Sequence, residues 1–113
     1  MQSMSAKKTA TPLLPVTFMV EDIVGCKWSL AVLELVRKGI NRPGAMERAH
    51  DGLSAKVLGE RLRKMVLYGV LERKSYAEVP LRVEYAFTPF GKKFDAILDG
   101  IEQLQQSVDR TRG

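Results

Sequence analysis

The clearest periodic pattern in the chain lies between residues 53 and 67, where apolar residues recur at helical spacing. Spacings of three and four place them on one face of a helix, and the opposite face is polar and mostly basic. Ser54 stands where an N-cap is expected, and Gly69 can adopt the left-handed conformation that commonly ends a helix. The predicted buried face consists of Leu58, Leu62, Met65 and Val66.

A period-two pattern follows this helix and predicts a β-hairpin. Residues 70–76 form the first strand, and the connecting loop, residues 77–81, contains Pro80, which cannot donate a hydrogen bond to a strand ladder. The apolar face of the second strand consists of Val83, Tyr85 and Phe87. A hairpin beside a basic helix predicts a winged helix-turn-helix. The helix would enter the major groove of DNA, and the hairpin, or wing, would reach the flanking backbone or minor groove.

Four further helices are predicted around this unit. The first begins at Pro15 and ends at Gly25, and the second, about residues 27–38, is so apolar that it should lie in the core. A short third helix begins at Pro43, and the last runs from about residue 89 to 110. The expected fold class is therefore mainly α with a small β-hairpin (α+β), with N- and C-terminal helices forming a dimer interface.

The last helix has an apolar stripe about five turns long, which one small domain would cover only at one end. We predict that the rest packs against the first helix and a second copy of the chain, giving a homodimer. Gly100 lies in this helix and would permit close helix approach. The predicted dimer interface consists of Phe18, Phe94, Ile97, Leu98, Ile101, Leu104 and Val108.

The chain has 113 residues, of which 45% are hydrophobic and 27% charged, as expected for one globular domain. We assign residues 1–12 to a flexible tail and residues 13–113 to a single domain. No run approaches the roughly 20 apolar residues of a membrane span, and no secretory signal is evident. A single cysteine fits a reducing compartment, so a cytoplasmic location is expected.

The positive charge is concentrated in one part of the chain. The net charge is +5, and residues 53–93 contain 9 basic and 4 acidic residues, a local excess of +5. Residues 1–52 contain 7 basic and 5 acidic residues, and residues 94–113 contain 2 basic and 4 acidic residues. A solvated surface without function would spread its charge more evenly, so the predicted helix and wing favour double-stranded DNA as partner.

Four short segments occur in an order typical of one family. They are Gly25 to Trp28; Leu53–Ser54 with Leu58 and Arg61–Leu62; Gly69–Val70–Leu71 with Arg73; and V-P-x-x-V-E-Y-x-x-T-x-x-G from Val79 to Gly91. The last is the most specific. Together they span roughly residues 15 to 104 and resemble the HxlR family of bacterial winged helix-turn-helix transcription regulators. The resemblance implies a sequence-specific DNA-binding homodimer acting on a pseudo-palindromic operator.

Candidate DNA contacts lie on the predicted recognition helix, on the wing and on the helix before them. Lys56 can donate to guanine or phosphate, and Glu60 can accept from cytosine N4 or pair instead with Lys56 or Lys64 within the helix. Arg82, near the wing tip, is the main expected wing contact, and phosphate contacts of this kind position a protein without specifying sequence. The full candidate set is Arg42, Arg48, Ser54, Ala55, Lys56, Glu60, Arg61, Arg63, Lys74 and Arg82.

Cys26 has two interpretations. Lys27 and the start of the second helix could lower its thiol pKa, which would suit a redox sensor, but a lone cysteine is also often a small buried apolar residue. Some members of the resembled family sense oxidants through a cysteine near the start of their first helix, where this chain has Leu14–Pro15–Val16. An oxidant or a small molecule is the candidate effector.

No catalytic motif is present, so an enzyme is not expected, and neither is a metal or cofactor. His50 is the single histidine, and Asp95 and Asp99, spaced as i, i+4, are expected to be solvated.

The alternative function is a winged-helix protein-interaction module without specific DNA binding. A salt titration separates the two, because binding through several Lys and Arg contacts to phosphates weakens steeply with salt.

Overall fold

The computed structural model describes residues 14–112. Five helices and two strands follow one another as α1 (Val16–Val24), α2 (Lys27–Arg37), α3 (Pro43–Ala49), α4 (Ala55–Leu67), β1 (Leu71–Tyr76), β2 (Arg82–Phe87) and α5 (Pro89–Arg112). This is the predicted α+β winged helix-turn-helix, with α3 and α4 as the helix pair and the β1–β2 hairpin as the wing. The predicted flexible tail, residues 1–12, lies outside the described residues. None of the described helices is long and apolar enough to cross a membrane.

Helix α2 lies at the centre of the domain and packs against α1, α4 and β2. Val32 and Leu33 of α2 and Met19 and Ile23 of α1 are completely buried, which confirms that α2 is a core helix. The predicted buried face of α4 is mostly confirmed, since its buried apolar residues are Leu58, Leu62 and Met65. The placement of Val66 on that face is wrong, because its side chain is 38% exposed near the C-terminal end of the helix.

The wing is a two-stranded antiparallel hairpin in which Leu71 pairs with Phe87 and Tyr76 pairs with Arg82. Tyr85 is buried at the centre of β2, as the period-two pattern predicts. The backbone N–H of Tyr85 also donates to the carbonyl oxygen of Asn41 at 3.0 Å. The segment before α3 therefore lies along the free edge of β2 and fixes the wing against the helical body.

Helix α5 starts at a tightly packed junction with the hairpin. The Thr88 hydroxyl donates to the carbonyl oxygen of Gly69 at 2.5 Å and accepts from the backbone N–H of Gly91 at 2.8 Å. A Cβ atom on Gly91 would overlap the carbonyl oxygen of Val70, so only glycine fits this close approach. Phe94 and Leu98, on the first turns that follow, are buried in the core.

An ion pair also attaches α5 to α2. The guanidinium of Arg37 donates to both carboxylate oxygens of Asp95, at 2.5 and 3.0 Å, and Glu102 lies 3.9 Å away. The hydrogen bonds that Arg37 donates to Asp95 raise the pKa of Arg37, and burial acts in the opposite direction. The expectation that Asp95 is solvated is therefore wrong, because its side chain is 17% exposed and meets an arginine distant in the sequence.

Candidate nucleic-acid interface

Helix α4 begins and ends at the residues that the sequence predicts. The Ser54 hydroxyl accepts from the backbone N–H of Val57 at 3.2 Å, which satisfies one free donor of the first turn. The C-cap is Tyr68, and Gly69 follows with a φ of +77°, a conformation that glycine adopts without strain. Both ends of α4 are thus determined by residues next to them in the sequence.

The exposed face of α4 presents the predicted basic side chains. Ala55, Lys56 and Arg63 are exposed, and Glu60 is half-buried. Lys64 does not pair with Glu60, one of the alternatives above, because its ammonium lies 3.4 Å from the Asp22 carboxylate of α1. Lys56 and Arg63 thus project from the surface on the side opposite the core.

Arg61 differs from these residues because its side chain turns inward. One guanidinium nitrogen lies 3.6 Å from the Cys26 sulfur and 3.5 Å from the Ser29 hydroxyl, both at the start of α2. The geometry therefore places Arg61 between α4 and α2 and gives less support to the predicted DNA contact of Arg61 than to that of Arg63. Periodicity could not show this, since Arg61 lies on the flank between the two faces.

Cys26 is the N-cap of α2 and is half-buried. Burial raises the pKa of its thiol, but hydrogen bonds from the Ser29 side chain and from the backbone N–H groups of Ser29 and Trp28 outweigh this effect. The charge of Arg61 acts in the same direction, and the net result is a pKa below the ordinary value. The Cys26 thiol therefore loses its proton more readily than an ordinary cysteine.

The wing contains a compact cluster of charges. Arg82 pairs with Glu78 and Glu84 at 2.8 Å each, and its guanidinium lies 3.7 Å from the centre of the Tyr76 ring. Arg42 reaches the same Glu84 oxygen at 3.2 Å. The pKa of Glu84 is lowered, mainly by the hydrogen bond from Arg82, and burial acts in the opposite direction. The charge of Arg82 and the contact with Arg42 lower it further. Two predicted DNA-contacting arginines, from different segments, thus meet on one carboxylate.

The other predicted contacts lie at the surface. Lys74 on β1 is half-exposed, and its ammonium is 3.8 Å from the Glu72 carboxylate. Arg48 is exposed in the last turn of α3. The structure therefore brings Arg42 and Arg82 together on the wing, whereas Lys56 and Arg63 project separately from α4.

A second polar network joins α1 to the end of α4. The Tyr68 hydroxyl donates to the Asp22 carboxylate at 2.5 Å, beside Lys64. Burial and this hydrogen bond raise the pKa of Tyr68 to about 12. Sequence reasoning missed this network, because Asp22 and Tyr68 are 46 residues apart and no local pattern pairs them.

The predicted dimer residues fall into two groups. Phe94 and Leu98 are 2% and 1% exposed, so they belong to the core of their own chain. The others leave apolar surface uncovered on α1 and on the outer half of α5. Their exposed fractions are 49% for Phe18, 53% for Ile97, 36% for Ile101, 67% for Leu104 and 41% for Val108.

The fold and its exposed basic helix define a winged helix-turn-helix protein. A family model described as HxlR-like helix-turn-helix matches residues 23–111, most of the chain. The chain therefore belongs to the HxlR-like helix-turn-helix family of transcriptional regulators, as the sequence motifs predict.

Individual relatives agree with this assignment. The helix-turn-helix transcriptional regulator sll1512 of Synechocystis sp. is 38% identical over 85 residues, which span 75% of this chain and 63% of that protein. A MarR-family transcriptional regulator structure from Enterococcus faecalis V583 superposes with a TM-score of 0.75 and 27% identity, covering 99% and 97% of the two chains. The structure of the redox regulator HypR in its oxidized form gives a TM-score of 0.65 and 26% identity, covering 83% and 96%.

Proposed function

We propose that this protein regulates transcription by binding double-stranded DNA as a homodimer on a pseudo-palindromic operator. Helix α4 enters the major groove, and the β1–β2 wing lies against the flanking backbone or minor groove. The observation that supports this most directly is the face of α4, which leaves Lys56 and Arg63 exposed while the opposite face is buried. Such a helix can lie in a groove without losing its packing against the domain.

The homodimer is supported by the uncovered apolar surface of α1 and α5. On α5 the exposed Ile97, Ile101, Leu104 and Val108 recur every three or four residues and so form one apolar stripe, and Phe18 on α1 is 49% exposed. An exposed apolar stripe on a soluble protein commonly marks an interface. A two-fold symmetric pair would present two copies of α4 to successive turns of the same face of DNA. Each half-site would then be bound by one subunit.

The central experiment is fluorescence anisotropy with labelled duplexes of about 30 base pairs, long enough for two half-sites one turn apart. One duplex is selected from a random pool for tight binding, and the other has an unselected sequence. The affinity for both should fall steeply with salt, because each phosphate contact releases counterions. Binding that salt leaves unchanged would contradict the proposal and favour the protein-interaction alternative.

Two substitutions separate positioning from sequence recognition. Arg82→Ala should weaken binding to the selected and unselected duplexes alike and reduce the salt slope by about 1, because the wing contacts phosphate. Lys56→Ala should weaken the selected duplex more, if its ammonium donates to a base. A loss confined to one sequence in Arg82→Ala would refute the assigned role of Arg82.

An oxidant is the effector that the structure supports best. Cys26 has a lowered thiol pKa, and Arg61 links it to the recognition helix at 3.6 Å, so oxidation at Cys26 would disturb a contact of α4. The similarity to a protein described as a redox regulator points the same way. Equal DNA affinity before and after treatment with a thiol oxidant would remove this role, and Cys26→Ser is the control that should not respond.

A further inference from the structure

The guanidinium of Arg82 is already engaged in the DNA-free protein. Its Nε donates to a Glu78 carboxylate oxygen at 3.1 Å, and its Nη2 lies 2.8 Å from the same oxygen. Its Nη1 donates to Glu84 at 2.8 Å. The Tyr76 ring covers one of its faces, and the Arg82 side chain is 26% exposed. A phosphate can therefore make a two-oxygen contact with the guanidinium only if one of the two carboxylates moves away.

The two carboxylates differ in how firmly they are held. Glu84 belongs to β2, its side chain is 19% exposed, and it also accepts from Arg42. Glu78 lies in the loop between the strands, its side chain is 49% exposed, and among the described residues Arg82 is its one ion-pair partner. Displacing Glu78 breaks fewer contacts and leaves the strand pairing intact.

We propose that Glu78 occupies the phosphate-binding side of Arg82 in the free protein, and that a DNA backbone phosphate replaces it on binding. This inference rests on the proposed function. A carboxylate and a phosphate both accept from a guanidinium through two oxygens, so one can substitute for the other. Glu84 keeps its contact and orients the guanidinium. Because the phosphate backbone is the same in every sequence, Glu78 lowers the affinity for all duplexes equally.

The test is Glu78→Gln, which keeps the size of the side chain and removes its charge. The affinity for the selected and unselected duplexes should rise by the same factor, about two- to fivefold, which is the range for the loss of one exposed ion pair. In an Arg82→Ala background the same substitution should have no effect, because the residue on which Glu78 acts is gone. Glu21→Gln, which removes one negative charge from exposed α1, is the control for net charge.

Three outcomes would overturn the inference. They are unchanged affinity in Glu78→Gln, an equal gain in the Arg82→Ala background, and an equal gain in Glu21→Gln. Each of them can be observed only if the wild-type protein binds the duplexes. A wild-type protein that binds neither duplex would instead contradict the proposed function, so the two failures are distinguishable.

Discussion

Asp22 is a single carboxylate that joins two helices. It accepts from the Tyr68 hydroxyl at 2.5 Å and pairs with Lys64 at 3.4 Å, so it connects α1 to the end of α4. Helix α1 also contains Phe18, one of the predicted dimer residues. Asp22 therefore connects the helix that contains this residue directly to α4. Its contribution to stability can be measured separately from DNA binding.

Asp22→Asn should lower the free energy of unfolding by about 1.5–3 kcal/mol at neutral pH, the range for a hydrogen bond to a charged group. The Tyr68 hydrogen bond and Lys64 hold the pKa of Asp22 below 3.8, despite burial. Because its pKa is lower in the folded chain, Asp22 stabilises the folded state fully at pH values above its pKa in the unfolded chain. This stabilisation is lost as the pH falls through the pKa of the folded chain. Urea unfolding should therefore show a difference between wild type and variant that shrinks on acidification. A constant difference would contradict the ionic role.

The surroundings of Cys26 predict a measurable titration. The rate of thiol alkylation should rise with pH around a midpoint below that of the same thiol in the urea-unfolded chain, because hydrogen bonds and Arg61 lower its pKa despite burial. Arg61→Gln should shift the midpoint upward, since it removes the positive charge 3.6 Å from the sulfur. Equal midpoints in the folded and unfolded chains would contradict this.

The elements of the fold follow from local patterns in the sequence. The helical spacing of Leu58, Leu62 and Met65 and the alternation around Tyr85 predict a helix and a strand that the structure confirms. Val66 is the exception, because its side chain is 38% exposed although Met65 and Tyr68 on either side of it are buried. Periodicity determines the direction in which a side chain points, but another element must be there to bury it.

Two glycines of α5 differ in whether another element packs against them, and they can be tested as a pair. Gly91→Ala should destabilise the fold by about 1–3 kcal/mol, because its Cβ would overlap the Val70 carbonyl oxygen and push α5 away from the hairpin. Gly100→Ala meets no atom within 4 Å and should stabilise the helix by up to about 1 kcal/mol. Urea unfolding measures both. Similar effects from the two substitutions would show that α5 does not approach the hairpin closely.

At the scale of the whole molecule, we expect two chains to associate through the uncovered half of α5. Leu104→Glu should shift the protein from dimer to monomer in analytical ultracentrifugation, because it places a charge on the uncovered half of α5, and it should weaken binding to a two-half-site duplex. The fold should survive, since Leu104 is 67% exposed. Leu81→Glu is the matched control for the sedimentation measurement, because Leu81 is 64% exposed in the loop between β1 and β2 and is not one of the predicted dimer residues. A dimer that persists in Leu104→Glu would rule out this interface.

The sequence by itself determined the order of the elements, the Ser54 cap, the buried face of the recognition helix and the family. These depend on neighbouring residues, on spacing along the chain and on short motifs. The tertiary structure alone decided which charges meet. Arg37 and Asp95 are 58 residues apart, and Arg61 and Cys26 are 35 apart. A local pattern shows that a residue is charged and on which face it lies. Its partner is set by how separate elements pack, and this packing turned Arg61 inward and brought Arg42 to Glu84, which is 42 residues away.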